Sequence, residues 1–264
     1  MAGDRQTELL MLLLEQGETT VQAIANALGA SLATVRRDLI ELEQSGRIER
    51  SHGSARISQG ARKEVQFSSR EVQNIEAKRV IAALAAKLIK PNDVLFLDAS
   101  TTVLQLARHI KNLDMKLKVF TNGIVVAQEL IDVPNIELTV VGGRLRPENL
   151  SMVGPFAISM INSLWFDRLF LGATAIDDEA NLTSLDADES AINAAMISRS
   201  SSVAVMADSS KIGKRATYFV DQLKSGQILI TDQKPEDGLL EIANDCGLLV
   251  EHGNTQTSDL RENV

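Results

Sequence analysis

The stretch VLFLDASTTVLQLARHI, residues 94–110, limits the possible folds more than any other. Four apolar residues run into Asp98, a Ser-Thr-Thr cluster follows, and apolar residues then recur at Val103, Leu106, Ala107 and Ile110. That spacing predicts a strand turning sharply into a helix. Such a turn suits an anion, because the first backbone N–H groups of a helix are unpaired and lie at the positive end of its dipole. Ser100, Thr101 and Thr102 add hydroxyl donors there.

From about residue 67 onward the same alternation continues. Apolar runs at LKVFT, IELTVVGG, FDRLFLGA, SSVAVMAD, GQILIT and GLLVEH alternate with helical patterns near 123–131, 154–164, 187–200 and 235–245. The order predicts an α/β fold, Rossmann-like, with a mostly parallel sheet and helices on its faces. Ligands in such folds sit beyond the carboxyl ends of the strands. The polar clusters fall at those ends: Asp98 to Thr102, Thr121-Asn122, Gly142-Gly143-Arg144, Gly172 to Thr174 and Asp208 to Lys211.

The first 57 residues read differently. Three short helical patterns end at Gly17, Gly29 and Gly46, the second opened by Thr20 and the third by Ser31, and RIERSHGSARI then reads as a two-stranded hairpin around Gly53. Helix, helix, helix, ribbon is the order of a winged helix-turn-helix. Ala33, Thr34, Arg36 and Arg37 face away from the Val35, Leu39, Leu42 stripe of the third helix, beside its cap Ser31, and so suit base edges in a major groove. Arg47, Arg50, His52 and Arg56 on the ribbon suit phosphates or a minor groove. The plainer alternative is a set of solvated arginines, since six Arg face eight Asp and Glu over these residues. The acids cluster on the first helix and the far end of the third, which favours the DNA reading. The whole molecule carries a net charge of −8, so DNA contact has to come from a local patch.

TVRRDLIELEQSGRIERSHGSARI resembles the DNA-binding signature of the DeoR family of bacterial transcription regulators, with Ser54 standing where the family pattern has a second glycine. The likeness continues through Phe67, Arg70, Asn74, Lys78, LDASTT, TNGIVVAQEL, VVGGRLRPENLSMVG, FDRLFLGATAID and ADSSK. It implies a cytoplasmic regulator of carbohydrate use, usually a repressor, that assembles as a dimer or tetramer. Its partners would be operator DNA and a phosphorylated sugar bound in the C-terminal domain. That second half also resembles ribose-5-phosphate isomerase distantly. Read against the isomerase pattern, Leu171, Thr174 and Ala175 stand where the enzyme has its acids, and Ser184 where it has a lysine. Anion binding survives and the proton-transfer carboxylates do not, so a sensor without enzymatic activity is expected.

The phosphate contacts are assigned to Ser100, Thr101, Thr102 and Lys211, with Asp98 taking sugar hydroxyls or bracing the loop. Asn122, Gly142, Gly143 and Arg144 complete the set, although the glycines could serve only tight turns and Arg144 could pair with Glu148. Asp186, Asp188 and Glu189 read better as an acidic helix start than as metal ligands, and His52, His109 and His252 lack zinc spacing. Neither a cofactor nor a metal is expected. The single cysteine, Cys246, and the lack of an 18-residue apolar run suit a cytoplasmic protein that does not span a membrane. The expected domains are 1–57 for DNA, a linker at 58–66, and 67–264 for the effector. Reorientation about the linker is the expected route of coupling.

Overall fold

Glycine stops and side-chain caps shape the first of two units, which the chain divides between Gln73 and Asn74. The structure, a computed structural model, describes residues 2–51 and 53–253. Helix α1 (Ala2–Gln16) ends at Gly17, whose φ of +75° suits glycine. Strand β1 (Thr19–Thr20) leads into α2 (Val21–Ala27), where the Thr20 hydroxyl accepts the Ala23 N–H at 3.2 Å. Helix α3 (Leu32–Gln44) is capped by Ser31, which accepts the Thr34 N–H at 3.1 Å. Leu9, Leu13, Ile24, Val35, Leu39 and Leu42 form the core between the three helices.

The wing is β2 (Ile48–Ser51) against β3 (Ser54–Ile57), antiparallel, with β1 on the other edge of β3. Ser54 does not carry the turn. Gly53 takes the positive φ of +79°, while Ser54 is part of β3 and its hydroxyl meets the Glu18 carboxylate. Between the helices Asp38, 1% exposed, accepts Arg5 Nε at 2.6 Å and Nη2 at 3.0 Å, a two-pronged tie between α3 and α1.

The linker expected at 58–66 is instead helical. Helix α4 (Gln59–Val72) begins at Ser58, whose hydroxyl accepts the Ala61 N–H, and Val65 joins the core of the first unit. The segment has too few apolar residues to display a period. Val65 is 2% exposed and Ala61 8%, and tertiary burial supplies what periodicity could not indicate. A hinge at 58–66 is therefore corrected: these residues belong to the DNA-side unit.

The second unit starts with α5 (Ile75–Ala86) and then follows the expected alternation. It runs through β4 (Val94–Leu97), α6 (Thr101–Ile110), β5 (Leu117–Thr121), α7 (Ile124–Leu130) and β6 (Ile136–Val140). After the β7 (Arg144–Arg146) and β8 (Ser151–Val153) hairpin come α8 (Pro155–Asn162) and β9 (Phe166–Gly172). Strands β10 (Ala175–Ile176) and β11 (Asn181–Ser184), α9 (Ala187–Ser198), β12 (Ser200–Met206) and a 3-10 turn at Ser209–Lys211 follow. The described chain closes with β13 (Tyr218–Gln222), β14 (Gln227–Thr231), α10 (Asp237–Cys246) and β15 (Leu249–His252).

Seven strands form one parallel sheet in the order β15-β14-β12-β9-β4-β5-β6. Alternate residues serve opposite faces. Phe96, Leu169, Leu171, Val203 and Val205 pack with α8, α9 and α10, whereas Leu95, Leu97, Phe170 and Ala204 are fully buried on the side where α5 lies against α6. The chain builds outward from β4 toward β6, then returns to β9 and builds the other way, so the order reverses between β4 and β9. The small antiparallel pieces, β7–β8 and β10-β11-β13, were absent from the strand expectation, which carried β6 on to Gly143. Among the described residues no helix is long and apolar enough to cross a membrane.

If α4 is part of the DNA-side core, Val65→Ala should lower the stability of the first unit by about 2 kcal/mol, from lost burial and a small cavity. Urea unfolding of the full chain, followed by probes in each unit, reads it. An unchanged midpoint for the first unit would return the segment to linker status.

Candidate functional site

The reversal between β4 and β9 fixes where a ligand site belongs, because helices on the two sides leave a crevice at the carboxyl ends of those strands. Asp98 closes that seam. Its N–H donates to the Phe170 carbonyl, Oδ1 accepts the Ser100 N–H and Oδ2 the Gly172 N–H, both at 2.9 Å. Ser100 then caps α6 by accepting the Val103 N–H at 3.2 Å. The approach is tight: a Cβ on Gly172 would lie 2.2 Å from Ser100 Oγ, so only glycine fits. Burial raises the Asp98 carboxyl from its ordinary 3.8 to about 7, against the Ser100 and Gly172 hydrogen bonds that favour ionisation and with a further push from Glu189.

A small polar cavity opens beside this seam, lined by Asp98, Ser100, Asn122, Asn149, Glu189 and Asn193 among others. It has room for at most about one water molecule, so a larger ligand has to part the walls. Asn122 Nδ2 donates to the Met152 carbonyl at 3.1 Å, while its Oδ1 is buried without a hydrogen bond. Glu189 accepts from Asn149 Nδ2 at 2.8 Å and Ser184 Oγ at 3.3 Å, and Arg146 Nη1 lies 3.6 Å away. A wider hollow of about 350 Å³ lies at the opposite end of the sheet, near the starts of β12 and β14.

Of the residues expected at the effector site, Asp98, Ser100 and Asn122 line this cavity. Thr101 and Thr102 are buried in the first turn of α6 but do not line it. Gly143 is held by packing, since a Cβ there would meet the Val153 carbonyl at 2.8 Å, whereas Gly142 has open space around it. Arg144 is exposed on β7 and pairs with Asp188, not with Glu148. Lys211 ends the 3-10 turn, half-buried; its backbone N–H donates to the Asp208 carbonyl at 2.9 Å, and its ammonium has no hydrogen-bond or ion-pair partner among the described residues. Sequence reasoning missed Asn149, Glu189 and Asn193 as cleft residues, and Arg146 as the ion-pair partner of Glu189. The available signal was the opposite charge of RLR at 144–146 and DADE at 186–189.

On the first unit, Ser31, Ala33, Arg36 and Arg37 are exposed at the start of α3, and Thr34 is half-buried with its hydroxyl 2.8 Å from Ser31 Oγ. Arg36 and Arg37 have no ion-pair partner among the described residues. The ribbon cations are engaged: Arg50 pairs with Glu43 at 3.4 Å, and Arg56 with Glu49 at 2.6 Å. Arg47 is half-buried where β2 begins, and His52 lies outside the described residues.

A winged helix-turn-helix with free arginines on its third helix, followed by a parallel α/β unit with a polar crevice, defines a DNA-binding transcriptional regulator. Residues 5–60 match the DeoR-like helix-turn-helix domain and residues 73–233 the DeoR C-terminal sensor domain. The chain belongs to the DeoR family. It is 35% identical over 253 residues to the HTH-type transcriptional regulator GlpR of Haloferax volcanii, covering 96% of this chain and 98% of that one. It is 32% identical over 247 residues to the HTH-type transcriptional regulator GolR of Listeria innocua, covering 94% and 97%. These relatives are named transcriptional regulators, and this chain is a transcriptional regulator too. Ribose 5-phosphate isomerase A from Methanocaldococcus jannaschii overlays with a TM-score of 0.40 at 16% identity, covering 53% of this chain and 55% of that one, too loose to bear on activity.

The buried carboxyl generates a pH dependence. With its folded value near 7 and its ordinary value 3.8, the folded state binds the extra proton between those limits, so the stability Asp98 contributes falls as pH rises from about 4 to about 7. The difference in unfolding free energy between wild type and Asp98→Asn should shift in that direction across the window. A difference independent of pH would contradict it.

Proposed function

We propose that this protein represses a carbohydrate-utilisation operon, working in the cytoplasm as a homo-oligomer whose grip on operator DNA changes when a phosphorylated sugar occupies the second unit. The relatives CsqR of Escherichia coli, 32% identical over 235 residues, and GlcR of Bacillus subtilis, 31% over 245, are each named transcriptional repressors, which supports the direction of control.

The observation that carries the reading is the seam at the end of β4 and β9, a polar crevice at the position where parallel sheets bind ligands. In this reading Ser100, Thr101 and Thr102 at the head of α6, with the unpartnered ammonium of Lys211, receive the phosphate. Asp98 and Asn122 serve the rest of the ligand, and Gly142, Gly143 and Arg144 act at its margin. On the DNA side, Arg36 and Arg37 reach base edges, with Ser31, Ala33 and Thr34 beside them. Arg47, Arg50, His52 and Arg56 approach phosphates, the last of these exchanging Glu49 for the nucleic acid.

Arg36→Ala or Arg37→Ala should cost about 1–3 kcal/mol on a site selected from random DNA and far less on unselected DNA. Equal losses on both would reduce the helix to a backbone clamp. A thermal-shift screen of phosphorylated sugars should find at least one that stabilises the protein, and the same compound should change affinity for the selected DNA by roughly tenfold to a hundredfold, a coupling of about 1–3 kcal/mol. A ligand that stabilises without altering DNA affinity would overturn the regulatory reading.

A further inference from the structure

Two features of the cavity beside Asp98 do not fit a phosphate site. Its walls include two carboxyl groups, Asp98 and Glu189, and no lysine or arginine is among the lining residues. Both carboxyl groups share this confined space, so a phosphate placed between them would bring further like charge into it. The neighbouring guanidinium, Arg146, is ion-paired with Asp186 at 3.4 Å and Glu189 at 3.6 Å and does not line the cavity, although its buried Nη1 makes no hydrogen bond. The second feature is Asn122, 3% exposed, whose Oδ1 is buried without a partner while its Nδ2 is committed to the Met152 carbonyl. An orphaned buried acceptor is costly, and a donor from a ligand relieves it.

The chamber thus offers the carboxyl oxygens of Asp98 and Glu189 and the unsatisfied Asn122 Oδ1 as acceptors, beside the hydroxyls and amides of Ser100, Ser151, Asn149 and Asn193. A hydroxyl both donates and accepts, so a chain of hydroxyls matches such walls and a phosphate dianion does not. We propose that this chamber reads the hydroxyl groups on the effector's carbon chain and excludes its phosphate. Glu189, Asn193 and Asn122 then determine which sugar is accepted, and Arg146 is a positioning residue. The inference rests on the proposed occupation of the cleft by a sugar phosphate, and it puts the phosphate outside the chamber.

The geometry also says how the chamber opens. Asn149 belongs to the loop of the β7–β8 hairpin and Glu189 to the first turn of α9, and their 2.8 Å hydrogen bond closes the wall between those elements. A ligand hydroxyl can replace Asn149 as donor to Glu189, so the same carboxylate holds the wall shut when the site is empty and grips the ligand when it is filled. Arg146, with 15% of its side chain exposed, and Ser184 keep that carboxylate aimed inward in both states. Sites built to hydrogen-bond a hydroxyl reject analogues lacking it strongly, because the buried partners are left unpaired.

The test uses the full chain with inorganic phosphate, ribose 5-phosphate and glucose 6-phosphate, and with unphosphorylated ribitol and sorbitol, followed by thermal shift and calorimetry. Glu189→Gln and Asn193→Leu should each weaken the sugar phosphate that binds wild type by tenfold or more while leaving the response to inorganic phosphate unchanged. Arg146→Met should weaken the same sugar phosphate, and Arg146→Lys should recover most of the loss. If a sugar phosphate binds wild type but the Glu189 and Asn193 variants bind it as tightly, or lose inorganic phosphate in equal measure, the chamber assignment is overturned and the effector reading stands. Binding of ribitol or sorbitol alone, lost in both variants, would support the chamber and remove the phosphate from the effector. Stabilisation by none of the five compounds would overturn both.

Discussion

The second unit depends on one carboxylate. A parallel sheet that builds outward in both directions from a seam leaves backbone N–H groups at the seam without ladder partners, and Asp98 accepts two of them, one from the turn after β4 and one from the end of β9. A carboxyl group so deeply buried is stable only with such bonds, and these donors hold the two halves of the sheet together where a ligand has to enter. Closeness follows from that bonding. Gly172 lies against Ser100, and Gly123 against the Ala99 backbone, where a Cβ would approach Cα to 2.8 Å.

The first unit handles charge in a different way. The chain is acidic, and a nucleic acid repels it as a whole. Internal pairing changes what the DNA meets. Asp38 is consumed by Arg5 inside the bundle, and Glu43 and Glu49 by ribbon arginines, whereas Arg36 and Arg37 project from α3 without partners. Local positive charge thus arises because acids adjoining the reading helix are neutralised elsewhere. The ribbon pairs are solvent-exposed, which makes their arginines exchangeable at little cost when phosphates arrive.

Much of this was legible beforehand where a single element carries its own signal. The caps Thr20 and Ser31 bond as their positions suggest, and each parallel strand of the second unit appears where an apolar run was bounded by polar turns. The turn after β4 could be read as a strand-to-helix junction because Ser100 and Asp98 act on neighbours within a few residues. Reading failed where the signal was distributed. Helix α4 contains only Ala61, Val65, Phe67 and Val72 as apolar residues, too few to show a period, and it is helical because Val65 finds a core built by three other helices. Arg144 was offered a partner four residues away and takes one 44 residues away.

Local sequence alone determined the three helices and wing of the reader, the succession of parallel strands and the end of the sheet that carries the polar turns. These follow from period, caps and chain direction, which act over a few residues. Tertiary structure alone decided which polar groups share a cleft: Glu189 and Asn193 come from α9, Asn149 from a hairpin loop, and Asn122 from the end of β5. No local pattern encodes that meeting, because it depends on where the sheet reverses and on which helices then cover the seam.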